Sequence, residues 1–573
     1  MRRRVFLSGG VLTGVGLPLL AGCKVPGWSK GQGGSTTAAS DSASAGKASE
    51  AAVPAASAAP QGWQELEAHV VGHHLGFQVS PLVRRDEKTT VLALKLTRAK
   101  DDAAVKEVSD SLNDHGSNVF EAARPLARQG GDRIYRPAAG GVRLLDLPTN
   151  RVWVATTGVE NKAKDNHNNL SLKPGASTSC FVLFGAVDAK QVTVFVPQAG
   201  FVTVNVLDSG AAVASGIDFK AVDKAFDDVI GYSRDESKPI QALAAPVTIE
   251  RYTQALDDST STLADNQKVT VTLASDVTFA SDSADLTSAA EAQLKTVAGQ
   301  LGQYPDGGTL TIVGHTDDVQ DDAYNQTLSE KRANAVKTRL EQLTKLDKWQ
   351  TSVSGKGESE PRIKDTSDEA RAANRRVEIT LTPTSGTTKK GSSPTPNSSD
   401  ASTLPASEGP SAKGSDGVTV TAKSANSNGE VTITLDHVTR QGGYLVGTLT
   451  CTVKPSSHSA NLTVLLTDLE NRSGNQRDED TGSTATFMAT DGLTLISGNE
   501  RVFPADYEQA DIKAHIPLTE LYVGDELLGG TVTAVGVVWP DPGGDTVILD
   551  HPQSEDSYST TAFRLTDIPV KNK

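Results

Sequence analysis

Over residues 62–210, apolar and polar positions alternate in short runs that turn residues interrupt. Val91-Leu92-Ala93-Leu94-Lys95-Leu96, Val142-Arg143-Leu144-Leu145, Arg151-Val152-Trp153-Val154 and Cys180-Phe181-Val182-Leu183-Phe184 each predict a strand. Residues 192–196 and 201–206 flank Pro197-Gln198-Ala199-Gly200 and predict a hairpin. Residues 218–230 carry a helical period, inside a connector over 211–246. From 247 to 382 the two periods mix. A strand over 269–273 is followed by Ser288-Ala289-Ala290-Glu291, a capping box opening a helix with Leu294, Val297, Ala298 and Leu301 on one face. Pro305-Asp306-Gly307-Gly308 stops that helix, and 309–314 predicts a strand. Thr327-Leu328-Ser329-Glu330 is a second capping box, opening a helix to about Leu343, and 376–381 predicts the closing strand. The β-α-β-α-β order with amphipathic helices implies an α/β sandwich. Residues 418–573 return to strand patterns at 431–435, 444–453, 462–466, 531–539 and 546–549. The expected fold class is multidomain α+β, with the central sandwich flanked by two antiparallel β-sandwiches.

The flanking regions read as distant copies of each other. Leu144-Leu145-Asp146-Leu147-Pro148-Thr149-Asn150-Arg151-Val152-Trp153 aligns with Leu493-Thr494-Leu495-Ile496-Ser497-Gly498-Asn499-Glu500-Arg501-Val502-Phe503. Each region then has a Val-rich strand and a Pro-Gln pair, Pro197-Gln198 and Pro552-Gln553. Both resemble immunoglobulin-like domains of exported bacterial lipoproteins.

Composition changes the picture at the ends and between domains. Residues 24–61 are Ser, Ala, Gly and Thr with little to bury, which predicts a disordered tether reaching on the order of 35 Å. Residues 383–417 predict a linker of similar character. Residues 1–23 read as an address: Arg2, Arg3 and Arg4 precede a Gly-rich apolar stretch too short to span a bilayer. Arg3-Arg4-Val5-Phe6-Leu7 resembles a twin-arginine export signal, with a basic general-secretion signal as the alternative. Leu20-Ala21-Gly22-Cys23 matches a bacterial lipobox, making Cys23 the acceptor of lipid. Net charge is −15 without a long Lys/Arg run, which excludes nucleic acid as a partner. Cys23, Cys180 and Cys451 form no close pair, so Cys180 and Cys451 read as buried apolar side chains.

The central region carries an ordered set of motifs. Asp276-Val277-x-Phe279, Ser283-Ala284-x-Leu286 and Gly314-His315-Thr316-Asp317 are followed by Tyr324-Asn325-x-x-Leu328-Ser329-x-x-Arg332-Ala333-x-x-Val336. Gly355-x-Gly357-Glu358-x-x-Pro361 and Arg371-Ala372-x-Asn374-Arg375-Arg376-Val377-Glu378-Ile379 complete it. Residues 247–382 resemble the OmpA C-terminal-like peptidoglycan-binding family.

The residues themselves point to one place. Arg332 falls inside the apolar stripe of Leu328, Ala335, Val336, Leu340 and Leu343, where a guanidinium requires a carboxylate of the protein or of a ligand. Asp317 follows the preceding strand at the same end of the domain, so an internal Asp317–Arg332 ion pair is one reading. The resemblance implies the other, in which Asp317 and Arg332 hold the zwitterionic end of diaminopimelate in the wall stem peptide. Asn325 is a further candidate contact, as are backbone N–H groups at the helix start. Where the family often has an acidic residue after the aromatic, this chain has Ala280. Asn374, Arg375 and Arg376 read as braces of the fold.

No catalytic motif, cofactor or metal set is expected. His69, His73 and His74 lie in an extended stretch without a carboxylate to complete a site, and Asp101-Asp102 and Asp321-Asp322 read as solvated loops. Two readings follow. The first is a non-enzymatic, lipid-anchored tether between membrane and peptidoglycan, on the extracytoplasmic face. The second is a receptor or adaptor whose β-sandwiches bind a protein or glycan partner while the central domain localises it to the wall.

Overall fold

The computed structural model describes residues 62–102, 119–126, 139–155, 170–223, 245–280, 282–387, 404–423, 428–457, 459–467, 490–509, 514–519, 527–553 and 562–573. Cys23, the expected tether and most of the expected 383–417 linker lie outside the described residues. The expected helix over 218–230 is described only at its start, where 219–223 are helical. The described chain is β-rich, with few helices and several sheets.

The first β unit begins with β1 (Gln64–Val70), β2 (His73–Val79), β3 (Leu82–Arg84) and β4 (Thr90–Arg98). A small pair, β5 (Phe120–Glu121) and β8 (Ser171–Leu172), sits outside the main sheet. Between them comes the hairpin β6 (Arg143–Asp146) and β7 (Arg151–Val154). β9 (Ser177–Phe184), β10 (Gln191–Val196), β11 (Gly200–Leu207) and the short β12 (Val247–Thr248) complete the sheet. The hairpin expected around Pro197–Gly200 forms as β10–β11 with Val196 opposite Gly200.

The central region supplies β13 (Arg251–Ala255), β14 (Thr260–Ala264) and β15 (Val269–Ala274), then helix α1 (Ala290–Gly302) and β16 (Gly308–Gly314). Helix α2 (Asp322–Leu343), β17 (Trp349–Gly355), α3 (Asp368–Asn374) and β18 (Arg376–Pro383) follow. The second β unit opens with β19 (Ser411–Lys413), β20 (Val418–Lys423), β21 (Asn428–Thr434), β22 (Val438–Gln441) and β23 (Tyr444–Val453). It continues with β24 (Ser459–Ala460), β25 (Thr494–Ser497), β26 (Glu500–Val502), β27 (Asp506–Gln509) and β28 (Ala514–Pro517). β29 (Leu527–Leu528), β30 (Val532–Pro540), β31 (Thr546–His551) and β32 (Phe563–Asn572) end it.

The two β units share one strand order. The first runs β1-β2-β4-β3-β11-β10-β6-β7-β12, with β9 on β4. The second runs β20-β21-β23-β22-β32-β31-β25-β26-β13, with β30 on β23. The parallel pairing recurs at the same place, as β3 with β11 and as β22 with β32. The sequence repeat around Leu144 and Leu493 thus marks the equivalent hairpins β6–β7 and β25–β26.

The units do not form separate sandwiches on either side of the central domain, as the sequence suggests. Leu92, Trp153 and Val194 of the first belong to the same apolar core as Val431, Leu449, Trp539 and Phe563 of the second. A further cluster at the seam joins Leu145 and Phe195 to Tyr444 and Val538. Gly72 N donates to Val532 O at 2.9 Å, and the Tyr444 hydroxyl donates to Asn150 Oδ1 at 2.8 Å. Segments hundreds of residues apart thereby bury each other's apolar faces, the dominant favourable contribution to folding.

Three local expectations are corrected. Residues 462–466 form a one-turn helix, not a strand; a short run that is apolar on all sides does not reveal its period. Ser288 does not cap α1; Thr287 Oγ1 accepts from Ala290 N at 3.2 Å instead. Helix α2 begins at Asp322 rather than near Thr327, because the Asp321 carboxylate caps it by accepting from Tyr324 N at 2.9 Å. Thr327 and Ser329 then lie within the helix and donate back to Ala323 O and Gln326 O.

The central domain keeps its own core, in which Leu294 and Val297 of α1 and Val336 and Leu340 of α2 pack on Val271, Ile312 and Ile379. Its sheet order is β17-β16-β18-β15-β14-β13, with β16 and β17 parallel across α2. β13 also pairs with β26, Thr253 opposite Val502, so the central sheet continues into the second β unit. β12, only a few residues earlier, pairs with β7 of the first unit. One segment thus caps the same edge of both units.

Candidate functional site

The end of β16 and the flank of α2 set the site. Gly314 and Gly355 allow α2 to lie close on β16 and β17: a methyl group at Gly314 would overlap Ser329 O, and one at Gly355 would overlap Ser329 Oγ. Ser329 Oγ also accepts from Gly357 N at 2.9 Å. The loop after β16 is pinned by His315 N to Arg376 O and by Thr316 N to Gly357 O, each at 2.9 Å. The His315 ring is buried, and burial pushes its pKa down to about 4, with Arg376 acting in the same direction.

Arg332 projects from α2 with 5% of its surface exposed. Its Nε donates to Ser283 O at 3.0 Å, and its guanidinium carbon lies 5.2 Å from the centroid of the Phe279 ring. Among the described residues no carboxylate lies within ion-pair distance, and the two terminal nitrogens have no acceptor. Burial lowers the pKa of Arg332, opposed by the charges of Asp276 and Asp282 and by Tyr324.

Asp317 is not the partner of Arg332. Its Oδ2 accepts from Arg375 Nη1 at 2.7 Å, and Arg375 in turn grips Asp276 with Nε and Nη2 at 2.7 and 2.6 Å. Arg375 is thus a brace, as expected, and one that orients Asp317; its partners raise its pKa. The Asp317 side chain is 14% exposed, and among the described residues Oδ1 takes only a long 3.4 Å contact from Val319 N.

Asn325 is buried, and its amide donates to Asp317 O, Gln320 O and Glu358 Oε2 at 3.2, 3.1 and 2.6 Å. It holds the Asp317 loop, and those donors are committed there. The expected help from the helix start is also revised. Ten residues separate Asp322 from Arg332, which at about 1.5 Å per residue removes the α2 terminus from the guanidinium.

The expectation that Asp102 is a solvated loop residue is corrected as well. It binds the buried Arg98 and accepts from His74 N, while its Oδ2 lies 2.8 Å from His73 Nδ1. A fully buried guanidinium needs such a partner. His74 meets Glu67 of β1, so His73 and His74 do have carboxylates, one from the turn after β4 and one from the neighbouring strand. Cys180 and Cys451 are free thiols; Cys451 is buried as expected, whereas Cys180 is half-buried, and desolvation pushes the pKa of each up to about 12. A cleft of about 740 Å³ opens beside Asp276 and Arg375, with Arg501, Pro552 and Gln553 of the second β unit on its other wall.

A central two-layer domain with this loop and helix is what comparison with known proteins identifies. Residues 278–375 match the OmpA family model, so the chain carries an OmpA family domain at its centre. Outer membrane porin F of Pseudomonas aeruginosa is 43% identical over 103 residues, covering 18% of this chain and 29% of that protein. Outer membrane protein A of Escherichia fergusonii is 38% identical over 119 residues, covering 19% of this chain and 48% of that protein. The chain therefore spans less than half the length of these relatives. The crystal structure of the peptidoglycan-associated lipoprotein from Burkholderia pseudomallei is 27% identical, with a TM-score of 0.16, covering 20% of this chain and 87% of that one.

Proposed function

We propose that the central domain holds the stem peptide of peptidoglycan, and that the chain is a non-enzymatic envelope protein that ties a membrane to the cell wall. One observation carries the reading: Arg332 is buried beside an aromatic ring, and among the described residues no carboxylate lies within ion-pair distance of it. A guanidinium fork in that state is completed by a ligand carboxylate, and each charge-assisted contact contributes about 1.5–3 kcal/mol. Asp317, steadied by Arg375, offers Oδ1 to the ammonium on the same carbon of diaminopimelate. Asn325 serves by holding the Asp317 loop. The OmpA family match supports the peptidoglycan reading of this domain. Lipid on Cys23 after twin-arginine export would supply the membrane end, and many stem peptides on one polymer would give retention from modest single-site affinity.

The test is co-sedimentation with purified peptidoglycan. Wild type is expected in the pellet, and Arg332→Ala and Asp317→Asn in the supernatant with unchanged circular dichroism. Pelleting of both variants would refute the site. The adaptor reading is favoured by one feature, the cleft walled jointly by the OmpA domain and the second β unit. Full rescue of a deletion phenotype by a chain that keeps only the anchor and residues 247–382 would exclude it.

A further inference from the structure

Away from the Arg332 site, one cluster brings together three side chains of metal-binding type. Glu250 Oε, Asp506 Oδ and a ring nitrogen of His515 all lie within 4.8 Å of one another. Glu250 immediately precedes β13, Asp506 opens β27, and His515 lies on β28. The local backbone holds the carboxylates side by side: Glu250 N donates to Asp506 O at 2.8 Å, and Asp506 N donates to Glu250 O at 3.2 Å. β28 places His515 opposite Glu508, two residues along β27 from Asp506 and hence on the same face. His515 Nε2 lies 2.9 Å from Glu250 Oε2. Asp506 is 4% exposed, and the side chains of His515 and Glu250 are 12% and 16% exposed.

We infer that Glu250, Asp506 and His515 bind a divalent transition metal of the zinc class. Two carboxylates and an imidazole that converge where water is scarce offer a dication three ligand atoms at once. An imidazole with two carboxylates suits zinc and its transition-metal neighbours, whereas calcium and magnesium prefer oxygen ligands throughout. Ligand bonds of about 2.0–2.2 Å put donors roughly 3.4 Å apart, so side-chain rotation closes the cluster around the ion. The ion would fasten the segment that caps both β units to the β27–β28 hairpin, just before the chain enters the OmpA domain.

The test is titration of the full-length chain, stripped with a chelator, with Zn²⁺ and separately with Ca²⁺. Calorimetry and thermal unfolding are both followed. One equivalent of zinc is expected to bind and raise Tm, with no such step for calcium. Asp506→Asn and His515→Gln are expected to abolish the zinc step. His515→Cys, which restores a zinc ligand, is expected to retain it. Absence of a one-equivalent step in wild type, or the same step in the Asp506→Asn/His515→Gln double variant, would overturn the assignment. Loss of the step in His515→Cys with full folding by circular dichroism would overturn it too.

Discussion

The two β units have the same strand order but use the same edge differently. In the first, the β6–β7 hairpin edge is closed by the short β12, which pairs through Val247 and Thr248, with Ile249 N donating to Asn150 O at 2.8 Å. In the second, the equivalent β25–β26 edge takes β13, and through it the whole sheet of the OmpA domain. Trp153 of the first hairpin is fully buried in the core that the two units share and donates from Nε1 to Ala186 O. Phe503, aligned with it, packs at 5.2 Å on Tyr252 of β13. A duplicated edge has thus become a closed end in one copy and a joint in the other. The OmpA domain is fixed to the second unit by main-chain pairing, so its binding site moves with the β pair.

The largest expected effect separates the buried charges of the units. Asp102→Ala removes a carboxylate partner of the fully buried Arg98 of the first unit and is expected to cost about 3–5 kcal/mol by denaturant unfolding. Next, Phe503→Ala and Trp153→Ala should each cost about 3–5 kcal/mol. Only Phe503→Ala should split the calorimetric transition, with the OmpA domain melting apart from the β pair. A split in Trp153→Ala, or a single transition in both, would break the comparison.

A pH scan bears on the OmpA side of the joint. His315 titrates near 4 when folded and near 6.5 when unfolded, so the unfolded state binds more protons between those values. Stability is therefore expected to fall as pH drops from about 6.5 to 4, by up to about 3 kcal/mol. His315→Gln should flatten that slope in the transition assigned to the OmpA domain.

The smallest expected difference concerns the aligned Arg151 and Arg501. Arg501, 16% exposed, meets the buried Asp550 at 3.0 Å, whereas Arg151, 25% exposed, divides itself between the buried Asp146 and the exposed Asp188. Arg501→Ala should cost about 1–2 kcal/mol and Arg151→Ala no more than about 1 kcal/mol. Equal costs would mean that the deeper burial of Arg501 does not distinguish the copies.

Much of the strand pattern was legible because half-buried strands alternate, as β21 and the second half of β23 do. β13, β14 and β17 were not, being rich in Thr, Ser and Gln. The cap at Asp321 was hidden by a competing Thr-x-x-Glu pattern inside the helix. The shared core and the joint at Thr253 and Val502 link positions hundreds of residues apart, which no local period reports. At the site, motif order singled out Asp317 and Arg332. It could not show that Arg375, 58 residues from Asp317 and 99 from Asp276, takes up both carboxylates. Nor could spacing assemble Glu250 with Asp506 and His515.

The central claim is that Arg332 is completed by a ligand carboxylate. The most direct measurement is calorimetric titration of the full-length chain with stem tripeptides whose third residue is free diaminopimelate, amidated diaminopimelate or lysine. The account predicts saturable binding of the free diaminopimelate peptide, weakened or lost with the other two. It also predicts loss of that binding in Arg332→Ala at unchanged Tm. Equal binding of the lysine peptide, or an unaltered affinity in Arg332→Ala, would contradict it.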